Sequence, residues 1–284
     1  LWAVDANTAW ACLHNTTAGG GISKTSNGGA TWSQQGGGVI YNAASFPNFV
    51  YFSNTLLGIT VGDPNGGYFE IYTTLDGGTT WTRVPQANIP ANLSGEIGWT
   101  NVFDVEGTTI WFGTSKGRIY KSVNAGLNWT VSTTSFASVD DIVMINANDG
   151  LIQGGALISK TTDGCATVTP VSVSSGNLYT NDIEAIPNSS TYVSTGATNP
   201  VSPTNQGSSY SLDAGTTWIE IDNSVQHLAQ GWVDGTTGWC GGFNTDQTTG
   251  GIFKFAGSPL VLSLIHISEP TRLRRISYAV FCLK

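Results

Sequence analysis

Carboxylates and one histidine lie in loop segments of this chain where they could be brought to bear on a single bond: Asp63 in GDPNGG, Glu96 in SGEIGW, Asp140 and Asp141 in SVDDIV, Asp182 and Glu184 in NDIEAI, and His227. Two carboxyl groups suffice for glycoside hydrolysis, set about 5–5.5 Å apart for retention of configuration or about 6.5–9.5 Å apart for inversion. Glu96, Asp140 and Asp182 are the catalytic candidates, because each stands at the start of a segment that reads as an innermost strand. Asp63, Glu96, Asp140, Asp141, Asp182 and His227 are the candidates for ligand contact. Glu96 comes first, since no turn role accounts for it, whereas Asp63 beside Pro64 and Gly66 also reads as a turn cap. If Glu96, Asp140 and Asp182 converge they repel one another, so neutralising them should raise stability while weakening binding.

Other chemistries find less support in the residues. The glycine clusters AGGG and QGGGV have neither a following helix nor a lysine in place for a phosphate loop. His14 and His227 stand apart from each other and from paired cysteines, so no metal site is expected. A Ser-His-Asp set cannot be assembled from spacing. Cys12 in WAC and Cys240 in GWC occupy matching strand positions and read as small buried hydrophobes. No cofactor is implied.

The elements that must position these residues are announced by composition. Of 284 residues, 40% are hydrophobic, 36 are glycine, ten are tryptophan and one is methionine, a balance that favours a turn-rich β protein. The formal charge of −8 repels phosphate, which excludes nucleic acid as a partner, and no apolar run is long enough to insert in a membrane. One phrase recurs: TSNGGATW at 25–32, TLDGGTTW at 74–81, SVNAGLNW at 122–129, a worn TTDGCATV at 161–168 and SLDAGTTW at 211–218. The spacing suits one four-stranded antiparallel unit per repeat. Apolar runs such as NVFDV, TIWFGT and RIYKSV supply the strands.

Within the phrase, Asp76, Asp163 and Asp213, or Asn27 and Asn124 in their place, can cap the turn. Gly29, Gly78, Gly126 and Gly215 supply a positive φ, and Trp32, Trp81, Trp129 and Trp218 can fold beneath the hairpin to cover it. Repeated copies at this spacing cannot share one active site, so the phrase reads as architecture. These S/T-x-D/N-x-G-x-T/N-W strings resemble the Asp-box, or BNR, repeats of sialidases, sortilin-type receptors, xyloglucan-degrading enzymes and photosystem II assembly-factor-like propellers. The resemblance implies an all-β fold, a β-propeller of four-stranded antiparallel blades. Six are visible over residues 1–258, at about 1–35, 38–84, 97–133, 139–172, 179–222 and 225–256, with a seventh possible in a longer parent. Outside the tail the chain has only two arginines, Arg83 and Arg118, so the arginine triad that a sialidase of this kind uses for a substrate carboxylate cannot form.

GDPNGGYFEIYTTLDGGTTWTRVP and TGWCGGFNTDQTTGGIFKF further resemble secreted propellers of Bacteroidetes-type bacteria. That implies a secreted or cell-surface location and a type IX sorting domain beyond this segment. The stretch at 262–284, LSLIHISEPTRLRRISYAVFCLK, breaks the composition and resembles a translated sequencing adapter. It carries four of the 11 Lys and Arg but one of the 19 Asp and Glu, so the body is more acidic than the whole. The expectation is a monomeric binding platform for a glycan or protein ligand, without catalysis. The alternative is a glycoside hydrolase that uses two of the loop carboxylates.

Overall fold

The computed structural model describes residues 1–14, 20–36, 40–197, 205–243 and 251–260. The adapter-like stretch at 262–284 lies outside the described residues. What is described is almost wholly β. Consecutive strands pair antiparallel, up and down, into separate sheets. The first is β1 (Trp2–Ala3), β2 (Ala9–Leu13), β3 (Gly21–Thr25) and β4 (Ser33–Gln35); the second is β5 (Pro47–Phe52), β6 (Gly58–Pro64), β7 (Phe69–Thr74) and β8 (Thr82–Arg83). The third comprises β9 (Gly98–Glu106), β10 (Thr109–Thr114), β11 (Arg118–Ser122) and β12 (Thr130–Thr133), and the fourth β13 (Asp141–Met144), β14 (Gly150–Gly154), β15 (Leu157–Thr161) and β16 (Thr169–Val171). β17 (Asp182–Ala185), β18 (Tyr192–Gly196), β19 (Gly207–Ser211) and β20 (Ile219–Asp222) make the fifth. The sixth has three strands among the described residues, β21 (Gln230–Asp234), β22 (Thr237–Gly241) and β23 (Ile252–Lys254). This is the blade organisation of a β-propeller.

Position within a sheet decides composition. A short sheet cannot bury its faces alone and must stack on a neighbour, so central strands are covered on both sides while the last strand meets water. β10, reading TIWFGT, is buried from Ile110 onward, whereas β4 (SQQ) and β8 (TR) are polar and largely open.

The chain forms two compact units. One holds Leu1–Ile142 with Gln153–Gly155 and Asp163–Thr167; the other holds Val143–Ile152, Ala156–Thr162 and the chain from Val168 on, so the fourth sheet contributes to both. The core of the first unit is aromatic. Phe49 stacks on Phe103 with ring centroids 4.0 Å apart, Phe112 stacks on Tyr120 at 4.9 Å, and Trp10 stacks on Phe52 at 3.6 Å. The second unit is built on Val143, Leu151, Ile158, Ile183, Tyr192 and Trp218.

No helix among the described residues is long and apolar enough to cross a membrane.

Candidate functional site at the strand-start end of the sheets

Each sheet has two ends, and the repeated phrase occupies one of them. The turn between the third and fourth strands is closed by its own side chains. Thr74 Oγ1 donates to Asp76 Oδ1 (2.9 Å) and accepts from Gly78 N (3.0 Å), while Asp76 accepts from Thr80 N (2.9 Å) and Thr80 Oγ1 (2.6 Å). The same set recurs around Ser211, Asp213, Gly215 and Thr217, while Asn27 and Asn124 keep the backbone bond to their Oδ1, and Asn27 Nδ2 donates to Thr31 Oγ1 instead of accepting from it. In the worn copy Asp163 still accepts from Thr167 N and Oγ1. These carboxylates are spent within their own turns, and the bonds from Thr80 hold the Asp76 carboxyl down at about 2.

Two successive residues in each turn take positive φ, one more than the single glycine the phrase suggests. The first is glycine in some copies but Ala125 (57°) and Ala214 (54°) in others, and the second is Cys165 (68°) in the worn copy. Side chains there carry a steric cost of about 1–2 kcal/mol each. At Gly215 the second position also has no room, since a Cβ would stand 2.6 Å from Ile158 Cδ1.

The tryptophans do not share one fate. Trp129 and Trp218 are buried and donate their indole N–H to Gly126 O (2.8 Å) and Gly215 O (3.0 Å), within their own turns. Trp81 is half-buried with an indole N–H that has no partner, and Trp32 is 38% exposed, which corrects the expectation that every copy is stapled from below. Trp10 and Trp111 do part of that work from the preceding sheet, donating to Gly77 O (3.0 Å) and Gly164 O (2.9 Å).

At the opposite end stand the first residues of β5, β9, β13, β17 and β21, and here lie the candidate ligand residues. Glu96 is buried and fully engaged: Arg118 Nη1 donates to Oε2 at 2.8 Å, Leu93 N to the same oxygen at 2.7 Å, and Thr114 Oγ1 to Oε1 at 2.7 Å. Arg118 also donates to Ala91 O at 3.2 Å. The charge that faces Glu96 at hydrogen-bond distance is thus a guanidinium. Asp140 is exposed and accepts from Ser138 Oγ (2.7 Å) and Gly155 N (2.6 Å). Asp141 is buried, with Ile142 N on its Oδ1 at 2.9 Å. Asp63 is not a cap of its own turn. It joins two sheets, accepting from Asn48 Nδ2 (3.1 Å) and from Gly98 N (2.9 Å) at the start of β9, and burial pushes its carboxyl up. Asp182 does the same between β17 and β21, where Gln230 N donates to it at 3.0 Å.

The sequence reading missed one constellation in the second unit. His227 is buried before β21, with Nε2 2.8 Å from Asp222 Oδ2 and Nδ1 2.9 Å from Cys240 Sγ. The register carries the signal that could have found it. Gln230 pairs with Cys240 in a tight hairpin, so the residues just before β21 fall beside the end of β22. Among the described residues, no group of three or more His, Cys, Asp and Glu is placed to hold a metal ion.

In the first unit, side-chain contacts join this end of neighbouring sheets. The His14 ring lies 4.7 Å from that of Phe46, Asp63 reaches Gly98, and Trp99 Nε1 donates to Ser138 Oγ at 2.7 Å. Along this line Leu13, Phe46, Leu93, Ile97 and Trp99 are exposed.

The architecture recurs in solved structures. YCF48 bound to D1 peptide matches at 18% identity with a TM-score of 0.54, over 84% of this chain and 81% of that one. The shared fold is a β-propeller. An ancestral GH74 enzyme matches at 15% identity and a TM-score of 0.56, over 89% of this chain but 37% of its own, and the GH74 xyloglucanase of Xanthomonas campestris at 13% and 0.52, over 88% and 45%. No family model matches the chain, and no curated protein matches it.

Proposed function

We propose that this propeller is a non-catalytic platform that binds an extended, neutral or basic protein segment on the strand-start end of its first unit. The observation that carries the reading is the division of labour at that end. Glu96 and Asp63, two of the carboxylates a glycosidase would call on, are engaged by neighbouring strands and loops, while Leu13, Phe46, Leu93, Ile97 and Trp99 stand open to solvent. Exposed aromatic and aliphatic groups on a rigid sheet scaffold suit recognition, and the acidic balance disfavours acidic partners. YCF48, similar over most of both chains, is a propeller seen with a peptide bound. A secreted or surface location of the bacterial kind suits such a platform and belongs to the same proposal.

Selection from a random peptide display library, followed by titration of the enriched peptides, tests this. Saturable binding that weakens about tenfold or more in Trp99→Ala or Phe46→Ala is expected, as for a central aromatic contact. Failure to enrich any peptide, together with turnover of a glycan that Asp140→Asn or Asp182→Asn abolishes, would establish the hydrolase instead.

A further inference from the structure

The carboxylate, imidazole and thiol of the second unit are ordered as a relay. The Asp222 carboxyl, although half-buried, is held below its usual range by the bonds from His227 and Ser208, the latter 2.7 Å from Oδ2. It is therefore ionised at neutral pH and can only accept. His227 Nε2 then carries a proton, and in the neutral imidazole the Nδ1 lone pair is directed at Cys240 Sγ. His227 N also donates to Gly196 O at 2.9 Å, and the ring packs edge-on against Phe253 with centroids 5.4 Å apart. The imidazole is thus fixed in both tautomer and direction, with a half-buried thiol at its basic nitrogen. A nucleophile with a base in reach, and a third group orienting that base, is the arrangement of an activated side chain.

We propose that Cys240 is a base-assisted nucleophile, with His227 as the base and Asp222 as its positioning residue, and that it takes small organic disulfides in thiol–disulfide exchange.

The choice of electrophile follows from what surrounds the sulfur. Acyl transfer needs N–H donors for a developing oxyanion, and among the described residues those flanking the site are committed: Leu228 N to Gly241 O, Gly241 N to Ala229 O and Gly242 N to Gly251 O. Exchange at sulfur develops no oxyanion. In it, the Cys240 S–H proton passes to His227 Nδ1 as the sulfur attacks one sulfur of R–S–S–R. The S–S bond breaks, the departing R–S⁻ takes the proton from His227, and the products are Cys240–S–S–R and R–SH. Cys240 is oxidised and one ligand sulfur is reduced. Burial and the charges of Asp222 and Asp182 push the resting thiol up to about 12, so deprotonation has to accompany attack. Cys12, which has Thr60 rather than a histidine at its sulfur, is the internal comparison.

The test is the rate of mixed-disulfide formation with 2-hydroxyethyl disulfide on the whole chain, followed from pH 5 to 9 and localised by peptide mapping, which separates Cys240 from the other cysteines. Cys240 is expected to react about tenfold or more faster than Cys12 at pH 7, as general-base assistance provides. Its lead over Cys12 should persist at neutral pH, with Asp222 and Asp182 the acidic groups facing the site. His227→Gln should remove the advantage and leave a rate that climbs only at high pH. Asp222→Asn, an isosteric change that guards against unfolding of the first variant, should lower the rate in a protein that still unfolds cooperatively. A Cys240 rate equal to that of Cys12, or a pH profile that survives in both folded variants, would overturn the proposal.

Discussion

Asp76 shows how little of a carboxylate's charge is available for chemistry once a turn has used it. Its two oxygens accept from Thr74, from Thr80 N and from Thr80 Oγ1, and these bonds lower its carboxyl from 3.8 to about 2. A depressed folded-state value means that the unfolded chain binds the proton first. The contribution of this turn is therefore complete above about pH 4 and disappears as pH falls through 2. The turns at Asn27 and Asn124 use the same acceptor geometry without a titrating group and carry no such dependence. Asp76→Asn should accordingly flatten the fall in melting temperature between pH 5 and 2 relative to the unaltered protein. Scanning calorimetry across that range decides it, and parallel acid limbs would show that the bonds to Asp76 are not what depresses its titration.

Between strands, the decisive bonds are those that no short-range pattern records. Arg118 begins β11 and Glu96 precedes β9, yet their side chains meet at 2.8 Å with only 9% and 0% of their surfaces exposed. Removing one member of a buried pair strands the other, at a cost of about 3–5 kcal/mol. Glu96→Ala should therefore lower the urea midpoint sharply, whereas neutralisation of a self-repelling cluster would have raised it; an unchanged or higher midpoint would contradict the pairing. The strands themselves were legible, because runs such as TIWFGT are buried on both faces, and so was the turn chemistry of the repeats. The links between sheets were not. Asp63 to Gly98, Asp182 to Gln230 and Trp111 to Gly164 join residues 35, 48 and 53 apart, through a register that the sequence does not print. The Cys240 site was missed at shorter range: Cys240 read as a small buried hydrophobe and His227 as a ligand contact standing alone, and Asp222, five residues before His227, was not singled out. It also explains the unequal tryptophans, since one phrase gives a buried indole at Trp129 and an open one at Trp32 according to what the neighbouring sheet offers.

For the molecule as a whole, the repeats fix the scaffold, and the proposed binding role falls to the loops at one end of the sheets. The turns at the other end are closed by their own side chains, with Trp10 and Trp111 of the preceding sheets adding bonds to Gly77 and Gly164. Conflict between these roles is absent in the first unit, where Glu96 and Asp63 brace the strand starts and Phe46, Leu93, Ile97 and Trp99 remain open beside them. The most direct measurement is a hydrogen–deuterium exchange footprint of the protein with a selected peptide at saturation. The account predicts slowed exchange at 42–46, 93–99 and 115–117, with no change in the repeated turns at 25–32 and 74–81. Protection confined to those turns, or no protection anywhere in the first unit, would contradict it.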